Sequence, residues 1–287
     1  AKVKVIDNFS TGSKHNTHDF KNLGIEIFNL DITDQKRTEY CYSNVDFVFH
    51  HAAISSVPYS FENPGKSKFN NVDGTKSVLQ NSFKMGVEKI IFASSSSVYG
   101  DTEVSPTHEE VTLSPQSPYA EQKLRGEILC KNYFKSTKNR VTSLRYFNVF
   151  GPYQDPSSQY SAVIPKFINL AIKNEDLVIF GDGSSTRDFV FVEDVIKSNL
   201  CSLSSSLSDG EEINIATGER ITIENLARLI IKITDSNSQI VKTSPRDGDI
   251  IHSIADITKA NRILGYTPTF SLEQGLVKTV DYFNTLN

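Results

Sequence analysis

The sequence predicts an α/β fold built on a mostly parallel sheet. In the first half of the chain, short apolar runs alternate with helical stretches, which is typical of right-handed βαβ units. After Gly151 the pattern loosens into Pro- and Ser-containing loops and shorter elements, so a smaller second region is expected. The predicted strands are residues 3–6, 25–29, 45–50, 90–93, 141–145 and 177–180, and a later helix covers 223–233 after the candidate N-cap Thr222.

The composition is that of ordinary globular material. The chain has 287 residues, 38% of them hydrophobic and 22% charged. Its net charge of -4, with dispersed signs, argues against nucleic-acid binding. No apolar run reaches the roughly 18 residues of a membrane span, so no membrane partner is expected. Cys41, Cys130 and Cys201 lack metal-ligand or redox spacing, which predicts no metal site and a reducing, cytoplasmic setting.

The pair Tyr119 and Lys123 is the first candidate for chemistry. Its spacing of four places both side chains on one face of a helix. An ammonium beside a phenol favours the phenolate, so Lys123 is expected to lower the tyrosine pKa from about 10 and to make Tyr119 a general base. Taken alone, such a pair is more often a surface pair.

A run of serines precedes this pair and changes its interpretation. The apolar strand 90–93 leads directly into Ser94-Ser95-Ser96-Ser97-Val98-Tyr99-Gly100. Hydroxyl groups therefore cluster at the carboxyl end of a strand, which is where ligands bind in open α/β sheets. A serine-rich turn is the alternative, but a strand, a hydroxyl cluster and a Tyr-x-x-x-Lys helix in this order favour an active site.

Several short motifs occur in one order along the whole chain. They are residues 5–12 (Val-Ile-Asp-Asn-Phe-Ser-Thr-Gly), 50–53 (His-His-Ala-Ala), 70–75 (Asn-Asn-Val-Asp-Gly-Thr), 94–100, 117–123, 144–152 and 186–189 (Thr-Arg-Asp-Phe). Together they resemble the extended short-chain dehydrogenase/reductases, and in particular the NAD-dependent UDP-hexose 4-epimerases. The resemblance implies a homodimeric enzyme whose intersubunit contact includes the Tyr-x-x-x-Lys helix.

The resemblance also implies a domain organisation. Residues 1–165 are expected to form a Rossmann-like, doubly wound parallel sheet that binds NAD. Residues 166–287 are expected to form a smaller, interleaved C-terminal substrate-binding domain, from which segments near 187–200 and 212–217 return to the first domain.

One departure from the family pattern concerns the amino terminus. Relatives open with a strand and a Gly-x-x-Gly-x-x-Gly turn, whereas this chain opens on what resembles the second strand. Because the first strand of such folds is central, its loss would uncover apolar faces of its neighbours. The chain is therefore expected to be a fragment of a longer protein, and as given to bind dinucleotide poorly.

Asp7 is the main cofactor-side candidate because it directly follows an apolar strand. An acidic residue there can bind both hydroxyls of an adenine ribose and repel a 2′-phosphate, which favours NAD over NADP, although Asp7-Asn8 could also simply open a turn. By resemblance, the other cofactor-side residues are Asn8, Ser10, Thr11, Gly12, Asp31, Ile32, His51, Ala52, Ala53, Asn70, Tyr146, Tyr119 and Lys123.

The resemblance assigns the chemistry to Ser95, Tyr119 and Lys123. Ser95 would hold the sugar 4-hydroxyl while Tyr119 removes its proton, and Lys123 would contact the nicotinamide ribose. Hydride leaves carbon 4 to give a 4-keto intermediate and returns to the opposite face. Related dehydratases carry Asp-Glu where this chain has Ser96 and Ser97, and related decarboxylases keep a Glu at the second position. Since neither carboxylate is present, an isomerase is expected.

The planar guanidinium group of arginine suits the diphosphate of a nucleotide sugar. By resemblance, Arg187 and Arg246 match the phosphate-facing arginines of the family. The alternative for either arginine is a surface ion pair. Ser253 stands where hexose-only epimerases carry a tyrosine, which leaves room for an N-acetyl group. The remaining substrate-side residues implied are Ser55, Ser56, Val57, Ser95, Ser96, Ser97, Asn148, Val163 and Asp249.

The expected reaction interconverts UDP-N-acetylglucosamine and UDP-N-acetylgalactosamine, in supply of surface-polysaccharide precursors. Two alternatives stay open. One is a UDP-hexuronate or UDP-glucose 4-epimerase, and the other is a non-catalytic protein that binds nucleotide sugars or dinucleotides.

Overall fold

The computed structural model of the chain describes residues 1–155, 162–245 and 252–286. These residues divide into two compact units. The first contains 1–98, 115–144 and 202–212, and the second contains the described residues of 99–114, 145–201 and 213–287. The unit boundaries differ from the expected domain boundary at 165, and the division into NAD-binding and substrate-binding domains, with its two returning segments, stays a prediction.

Twelve strands and ten α-helices are present in the described residues. The strands are β1 (Lys4–Ile6), β2 (Glu26–Phe28), β3 (Phe47–His50), β4 (Lys89–Ser95), β5 (Arg140–Tyr146), β6 (Asn148–Phe150), β7 (Leu177–Phe180), β8 (Thr186–Arg187), β9 (Phe189–Phe191), β10 (Glu212–Ile215), β11 (Ile221–Thr222) and β12 (Ile240–Thr243). The helices are α1 (Gln35–Thr38), α2 (Val57–Glu62), α3 (Pro64–Lys68), α4 (Gly74–Lys84), α5 (Pro118–Thr137), α6 (Val163–Ile172), α7 (Val192–Ser204), α8 (Ile223–Thr234), α9 (Thr258–Leu264) and α10 (Leu272–Asn284).

The first unit is built around β4, whose neighbours are β3 and β5 in a sheet of order β10-β5-β4-β3. β3 and β4 run parallel, as do β1 and β2, which form a separate pair. The predicted α/β class is thus confirmed. Strands β5 and β10 continue into the second unit along the chain. Phe47 and Phe49 of β3 remain exposed, whereas the apolar residues of β4 are buried.

Helix α5 packs closely on β4 because position 126 is a glycine. A Cβ atom at Gly126 would collide with the Phe92 ring, so a larger residue would push the helix off the strand. The helix begins where the sequence dictates. Ser117 caps it by accepting a hydrogen bond from the Ala120 amide, and Pro118 occupies the first turn. Tyr119 and Lys123 therefore lie in its first two turns.

A buried lysine fastens the segment after α7 to the start of β4. Lys89 is 0% exposed, and its Nζ lies 2.6 Å from Asp209 Oδ1 and 2.7 Å from the Ser205 carbonyl oxygen. It also donates to Ser208 Oγ, while Arg140 Nε pairs with Asp209 Oδ2 at 2.8 Å. Burial lowers the pKa of Lys89, and Asp209 opposes that shift.

The second unit carries short paired strands and a helical core. β6 pairs with β9 and β7 with β12 in parallel, and β8 pairs with β11 antiparallel. The predicted strand 177–180 and the predicted helix after Thr222 are confirmed, with the Thr222 hydroxyl accepting from the Asn225 amide. The buried core of this unit includes Phe150, Ile164, Phe167, Ile168, Phe191, Leu226, Ile230, Leu276 and Phe283.

Candidate active site

The serine run lies at the carboxyl end of β4. Ser95 is the last residue of this strand, and a 3-10 turn follows over Ser96–Tyr99. The Ser95 hydroxyl accepts a hydrogen bond from the Ser97 amide at 3.2 Å. The buried Ser97 hydroxyl has no hydrogen-bond partner in the described part of the chain. A strand end and a tight turn therefore present several hydroxyl groups together.

Helix α5 brings Tyr119 to this strand end. The side chains of Ser95 and Tyr119 are joined by a hydrogen bond. Lys123, one turn further along, donates from Nζ to the Ala93 carbonyl oxygen at 2.8 Å and lies 5.8 Å from the centroid of the Tyr119 ring. The structure thus brings together the three residues expected to carry the chemistry.

A third residue of the same helical face was missed by the sequence analysis. Glu127 follows Lys123 by four residues, and its Oε1 accepts a 2.5 Å hydrogen bond from Ser94 Oγ. The exposed fractions are 9% for Tyr119, 6% for Lys123 and 2% for Glu127. The signal was present in the sequence as a spacing of four, since Tyr119, Lys123 and Glu127 share one helical face.

Burial dominates the electrostatics of this face. It raises the pKa of the Tyr119 phenol, and the hydrogen bond with Ser95 opposes that shift. It lowers the pKa of Lys123 to about 8, against the opposing influence of Cys130 and Glu127. The expectation of a lowered tyrosine pKa is therefore wrong, because the phenol is desolvated and the ammonium is directed to the Ala93 carbonyl.

Eight of the expected cofactor residues line one small cavity of the first unit. Its volume is about 50 Å³, and its lining residues are Ile6, Asp7, Asn8, Ser10, Thr11, Ile32, Ala52, Ala53, Ile54 and Asn70. Asp31 joins this group by accepting a 2.8 Å hydrogen bond from Asn8 Nδ2. His51 is exposed beside Ala52. Tyr146 belongs to the second unit, where its hydroxyl bonds Asn199 Oδ1 at 3.0 Å.

Gly12 lies close to Asp7, one of the residues that line the cavity. Asp7 Oδ1 accepts from the Phe9 amide at 2.7 Å, and a Cβ at position 12 would stand 3.3 Å from Asp7 Oδ2. The glycine therefore leaves the second carboxylate oxygen uncrowded by a neighbouring side chain.

One wall of the cavity is held by Asn71, which the sequence analysis also missed. This residue lies in a π-helical turn over Phe69–Asp73. Its side chain accepts from the Ile54 amide at 2.7 Å and donates to the Ile54 carbonyl oxygen at 3.0 Å. It also donates to Gln122 Oε1, next to Lys123. The wall and the base-bearing helix are thus linked through buried amides.

Two substrate-side candidates of the second unit, Ser253 and Asn148, contact residues 186–188. The Ser253 amide donates to the Thr186 carbonyl oxygen at 3.1 Å, directly before Arg187. Asn148 Nδ2 donates to the Asp188 carbonyl oxygen at 2.9 Å. Val163 begins α6. Arg246 and Asp249 lie outside the described residues.

In the first unit, Ser55 precedes Ser56, which caps α2, and Val57 is the first residue of that helix.

Asp188 organises the backbone beside Arg187. Its carboxylate accepts from the Thr217 amide and hydroxyl at 2.9 and 2.7 Å. It also accepts from the Gly218 and Ala255 amides at 3.0 and 3.2 Å. Burial raises the pKa of Asp188, and these hydrogen bonds oppose that shift. A buried carboxylate with four donors fixes the strand that carries Arg187.

Residues 1–155, 162–245 and 252–286 contain neither a helix that could span a membrane nor a cluster of metal ligands. Their helices lack the combined length and apolar character that a membrane span requires. They hold no group of three or more His, Cys, Asp or Glu side chains arranged to bind a metal ion.

Comparison with known proteins gives consistent matches. The model of the NAD dependent epimerase/dehydratase family matches residues 1–216. A putative UDP-glucose 4-epimerase of Methanocaldococcus jannaschii is 36% identical over 99% of this chain and 91% of its own length.

Two solved structures are similar over the whole chain. One is the UDP-glucose 4-epimerase of Thermotoga maritima with UDP-glucose, at a TM-score of 0.94 and 36% identity, covering 100% of this chain and 92% of that one. The other is the UDP-N-acetylglucosamine 4-epimerase of Methanobrevibacter ruminantium in complex with UDP-N-acetylmuramic acid. Its TM-score is 0.95 and its identity 36%, and the match covers 100% of this chain and 91% of that one.

Proposed function

We propose that this chain, which belongs to the NAD dependent epimerase/dehydratase family, inverts carbon 4 of a UDP-sugar through a 4-keto intermediate. The observation that carries the proposal is the buried hydrogen bond between Ser95 and Tyr119, with Lys123 one turn further along the same helix. The family is NAD dependent, and we propose that Asp7, which lines the cavity of the first unit, binds the adenine ribose.

In this mechanism Tyr119 takes the proton of the sugar 4-hydroxyl while Ser95 holds the hydroxyl oxygen. NAD, when bound, takes up the hydride from carbon 4 and returns it. Proton removal requires the phenolate of Tyr119, which the Lys123 ammonium favours and burial opposes. Carbon 4 is inverted because the 4-keto sugar turns its other face before the hydride returns, and return of the proton from Tyr119 then restores the 4-hydroxyl.

The residues after Ser95 support epimerisation over elimination. Ser96 and Ser97 offer hydroxyl groups and no carboxylate, so this turn holds no second acid/base pair. The Ser97 hydroxyl, which has no partner in the described residues, is suited to a sugar hydroxyl. Ser55, Ser56 and Val57 are proposed to lie on the sugar side as well.

The UDP moiety is assigned to the second unit. We propose that Arg187, Arg246 and Asn148 bind the diphosphate, with Asp249 on the uridine ribose and Val163 beside the uracil. The four hydrogen bonds of Asp188 support this assignment because they fix the backbone around Arg187. Guanidinium groups bind phosphate oxygens in pairs, which a lysine cannot match.

The proposed substrate pair is UDP-N-acetylglucosamine and UDP-N-acetylgalactosamine. Ser253 supports it, because a serine beside Arg187 leaves space for an acetamido group. The second candidate is UDP-glucose, since the T. maritima enzyme that is 36% identical was solved with it. A cytoplasmic location and a role in surface-polysaccharide supply stay predictions.

Incubating the full chain with added NAD and each of three UDP-sugars tests the function. UDP-N-acetylglucosamine should yield UDP-N-acetylgalactosamine at the highest kcat/KM, measured by chromatography of the products, with UDP-glucose turned over more slowly. Preference for UDP-glucose or UDP-glucuronate would replace the proposed substrate. Binding by calorimetry with no new sugar would identify a non-catalytic binder.

The substitution Ser253→Tyr is expected to remove turnover of the acetylated pair and to spare UDP-glucose. The added ring would occupy the acetamido space, while the non-acetylated sugar needs no such space. The ratio of kcat/KM values for the two substrates measures the effect, with Ser253→Ala as the matched control that adds no bulk. If Ser253→Tyr turned over the acetylated sugar as fast as the parent protein does, the assignment of this position would be contradicted.

We also propose a homodimer through the outer faces of α4 and α5. A groove of about 630 Å³ lies there, lined in part by Leu79, Phe83, Leu129 and Tyr133. Phe83 is 55% exposed, and Ile128 is exposed on the same helix as Leu129. Two copies packing these helices together would bury this apolar surface. Light scattering should give twice the chain mass of 32.0 kDa, and a monomer at micromolar concentration would refute the dimer.

A further inference from the structure

We propose that Glu127 is a positioning residue that keeps Lys123 in its ammonium form and fixes Ser94 next to Ser95. The inference rests on the proposed function for its catalytic consequence, but its geometry is independent of any substrate. Glu127 acts through Lys123 and Ser94.

The first support is a row of three contacts between one face of α5 and the last three residues of β4. Tyr119 bonds Ser95, Lys123 bonds the carbonyl oxygen of Ala93, and Glu127 bonds Ser94. The Glu127 bond, at 2.5 Å, is shorter than the 2.8 Å bond of Lys123, and both Glu127 and Ser94 are buried. Hydrogen bonds to a buried charged group are the strong ones, so this bond fixes the strand end against the helix.

The second support is charge. An ammonium that is 6% exposed needs a partner charge, and the Ala93 carbonyl oxygen supplies only a dipole. Glu127 lies one helical turn from Lys123, and its carboxylate raises the pKa that burial lowers. A carboxylate one helical turn away favours the charged form of the lysine.

The other titratable groups around this pair leave Glu127 as the counter-charge. Burial raises the pKa of the Cys130 thiol and that of the Tyr119 phenol, so both are neutral at neutral pH. Burial, with Lys123 and His51, lowers the pKa of His50 on β3 to about 3, so its imidazole is neutral too. Glu212 of β10 is paired with Lys131 Nζ at 3.2 Å. Ala93 and Ser94 of β4 do not titrate.

Glu127→Gln separates charge from hydrogen bonding, because the amide oxygen can still accept from Ser94. In protein carrying ¹³C-labelled lysine, the ¹³Cε shift gives the Lys123 pKa, and Lys123→Arg identifies the signal. We expect Glu127→Gln to lower this pKa by about one unit or more. The alkaline limb of kcat should move to lower pH by the same amount, since the ammonium is the working form. The matched control is Glu121→Gln, at an exposed position on the same helix. It should change neither the Lys123 pKa nor the alkaline limb of kcat.

Ser94→Ala makes the converse change, because it removes the hydrogen bond and keeps the charge. It should lower kcat with little change in KM and leave the Lys123 pKa within about 0.3 unit of the parent. An unchanged Lys123 pKa in folded Glu127→Gln overturns the proposal. If Glu127→Gln does not fold, an unchanged kcat in Ser94→Ala overturns it. A parent protein without epimerase activity would refute the proposed function, while the ¹³C measurement would still decide the role of Glu127.

Discussion

Replacing Tyr119 with phenylalanine is expected to lower kcat for epimerisation by about 10²- to 10⁴-fold. The substitution removes only the phenolic oxygen, which in this structure bonds Ser95 and in the proposed mechanism takes the proton of the sugar. The ring keeps its place because it is buried on α5. Steady-state kinetics with UDP-N-acetylglucosamine measure the change, and KM should change little because Tyr119 is not assigned to the UDP moiety.

The matched control is Tyr42→Phe, which removes the same atom from another buried tyrosine of the first unit. That variant should retain the parent kcat. Retention of more than about a tenth of the activity in Tyr119→Phe would remove this residue from the role of general base. Equal melting temperatures of the two variants would show that loss of activity is not loss of fold.

Replacing Lys89 with alanine is expected to lower the free energy of unfolding by about 3–5 kcal/mol. The change leaves the partly buried Asp209 carboxylate with Arg140 alone and removes the donor to the Ser205 carbonyl and the Ser208 hydroxyl. The segment 205–209 would lose its attachment to the start of β4. Urea denaturation followed by circular dichroism measures the effect.

Two comparisons sharpen this result. Lys84→Ala breaks an exposed pair with Glu39 and should cost less than about 1 kcal/mol. The double variant Lys89→Met with Asp209→Leu should be more stable than Lys89→Ala, because it removes the Asp209 carboxylate, and the charge that then loses its partner is that of Arg140, whose side chain is 34% exposed. If Lys89→Ala were no more costly than Lys84→Ala, the buried network would contribute nothing measurable to stability.

Local patterns predicted the strands and the helix of the proposed base well. Apolar runs located β3, β4 and β7, and the Ser-Pro pair before Tyr119 marks the first turn of α5. The chemistry-bearing pair was found because its spacing of four is a property of the helix itself. Such features depend on residues close together in the chain, so one sequence suffices to find them.

Features that depend on long-range packing were not predictable. The Glu127 bond to Ser94 joins residues 33 apart, and the Asn71 bond to Gln122 joins residues 51 apart. The direction of the Tyr119 pKa shift followed burial, which a helical spacing does not reveal. Tyr146 illustrates the same limit, since its hydroxyl is committed to Asn199. The cofactor role implied for it stays a prediction.

The side chain of Asn71 anchors the backbone of Ile54 in the cavity wall. Both backbone groups of Ile54 are satisfied by one amide side chain instead of a neighbouring strand. Amide protons in a sheet exchange with solvent only when several bonds open together. The hydrogen bond of the Ile54 amide depends on one rotamer of Asn71. The cavity wall at Ile54 can therefore loosen while the sheet stays intact. The exchange rate of the Ile54 amide proton is therefore a local reporter on the cavity beside Asp7.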